Sequence, residues 1–197
     1  TTVIQGAFAL AASWRRPVVP TGDVVRLSVN PPERLAFVEH GGATVPTPQF
    51  AVSPDGRSMA FVAAEPGGQP TLWLRSWEDV DARVLPGTEK ASEPFWSPDS
   101  RWIGFFDDLG SLKKVAALGG AVHLIAGNIP DPRGASWGAD DTILFGTGNR
   151  GVYRVAAAGG TPQAVTELDA SRQEGSHRWP QFLPDGRHFP FTSRSAL

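Results

Sequence analysis

The chain has 197 residues, 41% hydrophobic and 19% charged, with a formal net charge of −2. So balanced a charge lacks the positive field that holds phosphate backbones, which argues against nucleic acid as a partner. The absence of cysteine removes disulfides, thiol nucleophiles and thiolate-ligated zinc, and 22 glycines and 18 prolines favour short strands with many turns over helical bundles.

Residues 1–16 open with the uncharged apolar run Val3–Trp14, followed by Arg15, Arg16 and Pro17. That run is shorter than the roughly twenty residues a membrane-spanning helix needs. It reads as the end of a truncated transmembrane helix, as a signal-segment remnant carrying the small-residue pattern Ala9-Leu10-Ala11, or as an ordinary strand or helix end. Residues 17–47 read as a linker with one or two strands, Val24–Val29 and Arg34–Glu39.

From residue 48 onward the chain repeats. Four segments align: Phe50–Val62 (FAVSPDGRSMAFV), Phe95–Asp107 (FWSPDSRWIGFFD), Ser136–Thr147 (SWGADDTILFGT) and Gln181–Thr192 (QFLPDGRHFPFT). Their turn aspartates, Asp55, Asp99, Asp140 and Asp185, stand 44, 41 and 45 residues apart. In each, a short apolar strand enters Ser-Pro-Asp-Gly or a variant of it; in the full motif Pro presets φ, Asp bonds the backbone two residues on, and Gly takes the positive-φ corner. A second strand follows with large residues in alternation: Met59 and Phe61, Ile103 and Phe105, Ile143 and Phe145, Phe189 and Phe191. Leu72–Leu85, Leu112–Ile125 and Val152–Val165 add a second hairpin per period, turning at Gly119-Gly120 and Gly159-Gly160 in the latter two.

Two hairpins per period make a four-stranded antiparallel unit, and such a unit repeated is the signature of a propeller blade. The predicted fold is an all-β propeller with blades over 48–88, 92–128 and 133–169 and a partial fourth over 178–197. Phe50, Phe95, Trp96, Trp137 and Phe182 are expected to pack between blades. The runs at Val24–Val29 and Arg34–Glu39 could complete the fourth blade and close a small ring; the favoured expectation is a larger propeller of which this chain is a fragment.

The turns resemble those of the TolB-like, WD-like propeller repeat. The match is full at Ser53-Pro54-Asp55-Gly56-Arg57, close at Ser97-Pro98-Asp99-Ser100-Arg101 and good at Pro184-Asp185-Gly186-Arg187; at Gly138-Ala139-Asp140-Asp141 the Pro and Arg are missing. Stretches such as Leu72–Phe106, Tyr153–Arg172 and Ser176–Phe189 also resemble the C-terminal propeller region of bacterial membrane-anchored serine/threonine protein kinases. That resemblance implies an upstream kinase and one transmembrane helix, with the propeller outside the cytoplasm; Arg15-Arg16 after the apolar run leans the other way. The chain carries no Gly-rich phosphate loop, Val-Ala-Ile-Lys strand, His-Arg-Asp loop or Asp-Phe-Gly, so no kinase residue transfers to it.

Few residues invite a chemical reading. Gly134-Ala135-Ser136-Trp137-Gly138 fits the G-x-S-x-G pattern, but the repeat places Ser136 inside a strand rather than at a strand–turn–helix elbow. His177, Glu174 and His188 do not have zinc spacing; the segment Ser176–Trp179 is expected to bond an adjacent loop. The four turn aspartates read as structural, with Arg57, Arg101 and Arg187 as partners, and Asp107-Asp108 and Glu78-Asp79-Asp81 as solvated turn charges. No catalytic residue, cofactor or metal is expected. The sequence therefore predicts a non-catalytic interaction or sensing propeller that takes a protein, peptide or small ligand at its rim or channel, with membrane contact only through the N-terminal run. The alternatives are the propeller of a prolyl-oligopeptidase-like serine peptidase and a free periplasmic TolB-type scaffold.

Overall fold

Each repeat folds outward from its turn. In the first, Ser53 Oγ donates to Asp55 Oδ1 (2.5 Å), which also accepts from Arg57 N–H (3.0 Å), and Ser58 N–H donates back to Ser53 Oγ (2.9 Å). Gly56 sits at φ +71°, where a side chain would be strained. The second repeat makes the same three bonds through Ser97, Asp99, Arg101 and Trp102, with Ser100 at φ +59° in glycine's place. The third has no hydroxyl and is one residue shorter. There Asp140 accepts from both the N–H and the hydroxyl of Thr142 (3.1 and 3.0 Å). In the fourth, Asp185 Oδ1 accepts from Arg187 N–H (2.9 Å) and His188 N–H (3.0 Å). The hydrogen bonds of Arg57, Arg101 and Arg187 to these carboxylates come from their backbone N–H groups.

The computed structural model describes residues 28–39 and 49–195, and the elements below lie in the unit Pro31–Leu197. The run Val3–Trp14, Arg15-Arg16 and most of Val24–Val29 fall outside the described residues. Among those described, no helix is long and apolar enough to cross a membrane.

The first sheet holds β1 (Ala36–Phe37), β2 (Phe50–Val52), β3 (Ser58–Ala64), β4 (Thr71–Ser76) and β5 (Arg83–Val84). The second holds β6 (Ser92–Trp96), β7 (Trp102–Phe106), β8 (Leu112–Ala116) and β9 (His123–Ala126) in sequential antiparallel order. The third repeats that order with β10 (Pro132–Trp137), β11 (Thr142–Thr147), β12 (Tyr153–Ala156) and β13 (Gln163–Ala164). The fourth pairs β14 (Glu174–Arg178) with β15 (Thr192–Ser195), so it opens four residues before the expected 178.

The less favoured alternative, ring closure by the upstream runs, is not met at Arg34–Glu39. The strand within Arg34–Glu39 does not complete the fourth blade; Ala36 and Phe37 pair with Ala64 and Ala63 of β3 in the first. The reason is local: β2 covers only Met59 to Phe61 of β3, leaving the rest of that edge open for β1.

Strand alternation gives every sheet two apolar faces, and neighbouring sheets cover them. Trp96, Ile103, Phe105 and Val115 of the second sheet pack with Ala60, Val62, Leu72, Leu74 and Leu85 of the first. Phe95, Phe106, Leu112 and Ile125, on the opposite face, pack with Trp137, Ile143, Phe145 and Val155 of the third. Each fully buried Phe or Ile contributes on the order of 1.5–3 kcal/mol through the water it sheds, so the interfaces between sheets are where stability concentrates. Phe95, Trp96 and Trp137 pack between blades as expected. Phe50 does not: it is 54% exposed.

The innermost strands share an irregularity. One extra residue interrupts their pairing between Ser92 and Phe95 and between Pro132 and Ala135. Glu93, Gly134 and Trp179 hold the same place in successive repeats, and all have positive φ, at +52°, +76° and +49°. In the first blade the corresponding slot separates β1 from β2. Its two sides close on each other, because Gln49 N–H donates to Val38 O (3.2 Å) and Val62 N–H donates to Gln49 O (3.0 Å).

Candidate functional site

The inner strands β2, β6 and β10 lie side by side in neighbouring blades, and a cavity of different chemistry opens at each end of them. At the end carrying the Ser-Pro-Asp-Gly turns, a mouth of about 610 Å³ is lined by the last residues of β2, β6 and β10, by the segment Gln181–Leu183 beyond β14, and by the turns themselves. Phe50 and Val52, Phe95 and Trp96, Trp137, and Phe182 and Leu183 supply its apolar wall, with Pro54, Pro98 and Pro184 at the rim. Among the described residues that line it, none carries a charge. The indole N–H groups are already committed, Trp96 to Ala51 O (2.9 Å) and Trp137 to Asp141 Oδ1 (3.2 Å), so the rings present carbon rather than donors.

At the opposite end, a cleft of about 630 Å³ is lined by the starts of inner strands and by the turns between the second and third strands. It is charged, with Glu93, Asp107, Asp108, Asp131, Arg133 and Arg150 in its wall. Asp107 is not the solvated turn charge expected of it. It is 6% exposed, accepts from Leu109 and Ser111 N–H (3.0 and 2.8 Å), and pairs with Lys113 Nζ (2.7 Å). Burial pushes its carboxyl up, but Lys113 and the two N–H groups outweigh that and hold it below the ordinary 3.8. Asp108 pairs with Lys90 (2.7 Å) at the exposed edge, and Glu78, Asp79 and Asp81 are exposed as expected.

Solved structures of this architecture exist. A protein described as TolB from Agrobacterium tumefaciens superposes with a TM-score of 0.66 at 20% identity, over 81% of this chain and 58% of that one. TolB from Acinetobacter baumannii superposes at 0.61 with 14% identity, over 82% and 47%. The fold is a TolB-like β-propeller. The chain spans about half the length of those two proteins. A protein described as a dipeptidyl aminopeptidase IV from Bacteroides ovatus also superposes, at 0.53 with 11% identity, over 75% and 32%. No family model matches the sequence, and no curated protein does.

Within the TolB-like frame the remaining candidates fall into place. Ser136 lies on β10, nearly buried, and its Oγ accepts the N–H of Phe182 (3.0 Å) across the junction of the third and fourth blades. A strand is the wrong setting for a nucleophile elbow. His177 is buried at 2% exposure between Thr166 Oγ1 on Nδ1 (2.7 Å) and Glu174 Oε2 on Nε2 (3.0 Å). Thr166 Oγ1 already accepts from Val152 N–H (2.8 Å), so its own hydrogen is free to point at Nδ1, leaving Nε2–H to donate to Glu174. Backbone Asp169 N–H and then the His177 ring hold the Glu174 carboxyl down at about 2. His177 N–H also donates to Arg150 O (2.9 Å), and Arg178 reaches Gly148 O (3.1 Å). The segment Ser176–Trp179 thus bonds the adjacent loop. His188 stands apart in the fourth turn, its Nδ1 2.6 Å from Asp185 Oδ2. No group of three potential ligands that could hold a metal occurs among the described residues.

The apolar mouth and the charged cleft were not visible in the sequence. Each is assembled from residues about forty positions apart, and the only sequence signal was the repeat itself, which places Phe50, Pro94, Ala135 and Trp179 near equivalent sites.

Proposed function

We propose that this chain is a non-catalytic interaction propeller that takes an uncharged, apolar segment of a protein or peptide partner at the turn-end mouth. The observation that carries this reading is the mouth itself: three inner strands and the segment Gln181–Leu183 line about 610 Å³ with aromatic, aliphatic and prolyl side chains and no charge among the lining residues described. A segment rich in proline or aromatic residues suits such a wall, since an extended chain with little conformational freedom loses little on binding. The commitment of Ser136 Oγ to Phe182 supports a structural role for that hydroxyl. We read the propeller as extracytoplasmic and as the sensing region of a membrane-anchored serine/threonine kinase, on the resemblance of Leu72–Phe106 and Tyr153–Arg172.

Isothermal titration of the purified protein with an uncharged proline-rich peptide tests the docking. Val52→Asp and Leu183→Asp, both at exposed positions of the wall, should each abolish binding; unchanged affinity in both variants overturns the proposal. Peptide or ester hydrolysis that disappears in Ser136→Ala would overturn the non-catalytic part. The peptidase-propeller alternative is favoured by one observation, the superposition on the Bacteroides ovatus protein. Sequence flanking the chain separates the readings: a kinase catalytic loop upstream supports the first, and a G-x-S-x-G elbow downstream supports the second.

A further inference from the structure

Ala51, Phe95, Ser136 and Gln181 hold one place in the four repeats, 44, 41 and 45 residues apart. All four line the turn-end mouth. The first two bring carbon alone, and Phe95 packs into the junction with the third blade. The last two bring polar groups, and they are neighbours. Ser136 Oγ accepts the N–H of Phe182 at 3.0 Å, and that N–H belongs to the peptide group directly after Gln181. At this level the wall is therefore two-sided, carbon in the first two repeats and polar in the last two.

Among the described residues of the wall, Trp96, Ser136, Trp137 and Gln181 are those with a side-chain nitrogen or oxygen. Both indole N–H groups are spent, on Ala51 O and on Asp141 Oδ1. Ser136 is 5% exposed, and its oxygen accepts from Phe182, which leaves the hydroxyl hydrogen without an acceptor among the described residues. Gln181 is exposed. Its backbone N–H is fixed by Pro190 O at 3.1 Å, while its side-chain amide has no partner among the described residues. The side-chain donors still open on this wall thus stand together, on one side of it.

A segment entering an apolar mouth leaves water behind, and each of its peptide carbonyls then needs a donor. A proline-rich chain has this need in its plainest form. Every residue keeps its carbonyl, the prolines bring no N–H, and the extended helix they favour makes no internal hydrogen bonds. We propose that the Ser136 hydroxyl and the Gln181 amide donate to main-chain carbonyls of the docked segment, so that the mouth selects an uncharged, proline-rich chain by its backbone as well as by its side chains. The inference rests on the docking reading given above and adds to it the residues that set the specificity.

The test is isothermal titration with the same uncharged proline-rich peptide. Gln181→Leu and Ser136→Ala should each weaken binding about tenfold, the worth of one hydrogen bond. Two further variants give the direction of the bond. Gln181→Lys keeps donors and Gln181→Glu keeps only acceptors, so the first should bind more tightly than the second; with an uncharged peptide neither gains an ion pair. The proposal is overturned if Gln181→Leu or Ser136→Ala binds as the wild type does, or if Gln181→Glu binds at least as tightly as Gln181→Lys. Gln181 is exposed, so its variants should keep the fold; should Ser136→Ala fail to fold, they decide alone. Failure of the docking reading looks different and takes this proposal with it: the wild type itself does not bind, or Val52→Asp and Leu183→Asp leave affinity unchanged.

Discussion

The second and fourth blades start from nearly the same turn, yet their side chains meet different surroundings. In the second, Phe105 and Phe106 point to opposite faces and are both fully buried, one against the first sheet and one against the third. In the fourth, Phe189 and Phe191 occupy the places of Ile143 and Phe145, but among the described residues that sheet has only two strands. Phe191 is 38% exposed, and its neighbours are a row of rings, with His177 at 4.4 Å and Phe189 at 6.3 Å. A turn motif is enough to make a hairpin. Burial comes from the sheets stacked on either side, so stability belongs to the junctions between blades rather than to any one repeat.

Paired truncations test that contrast most directly. Phe106→Ala should cost about 3–5 kcal/mol, whereas Phe191→Ala, already half in water, should cost less than about 1 kcal/mol. Urea midpoints measured on both variants decide it, and equal losses would break the comparison. A smaller effect is expected at Gly104, where a methyl group would fall on the Phe95 ring. Gly104→Ala should cost about 1–3 kcal/mol through overpacking, and Phe95→Leu in the same chain should recover part of it.

Smaller again is the turn. Ser97 is buried, donates to Asp99 and accepts Trp102 N–H; Ser97→Ala strands that N–H and should lower stability by about 1–2 kcal/mol. The third blade manages without the hydroxyl because Gly138 leaves room for its neighbours: a Cβ there would come within 2.9 Å of Asp140 Oδ1 and 3.0 Å of the Phe182 ring. Gly138→Ser should therefore destabilise, although it restores the motif.

The mildest expected effect is on pH. His188 N–H and the His188 ring, with Arg187 N–H, hold the Asp185 carboxyl at about 2, below its ordinary 3.8; Asp99 is lowered in the same direction, chiefly by Ser97. A depressed carboxyl stabilises the fold above its unfolded value and stops doing so as pH falls through the folded one. Stability should thus be flat above about pH 5 and decline from there towards pH 2, and Asp185→Asn should make that decline shallower. A variant with the wild-type slope would show that the turn of the fourth blade does not couple to folding.

Much of this architecture was legible because the turns are short-range chemistry. Ser53, Asp55 and Gly56 determine a hairpin whatever surrounds them, and four turns of this kind 41 to 45 residues apart imply four stacked units. What could not be read depends on distant pairing. Nothing in Arg34–Glu39 marks it as an inner strand of the first blade rather than the last, since any short β-prone run fits any open edge. Phe50 looks like a packing residue by its place in the repeat, yet its exposure is decided by what lies beside the first blade.

The slot in the first inner strand has a consequence for how this chain tolerates change in length. Along β3, pairing passes from Ala64 to Phe61 in three steps, while the opposite strand advances from Ala36 to Phe50, fourteen residues. Elsewhere the same slot holds a single extra residue. Because Val38 and Gln49 are bonded to each other and to Val62, the strand closes behind whatever leaves it. Lengthening such an excursion costs only loop entropy, which grows with the logarithm of its length. The slot is a splice point: foreign peptide, or a whole small domain, could be carried there while the blade continues as though uninterrupted.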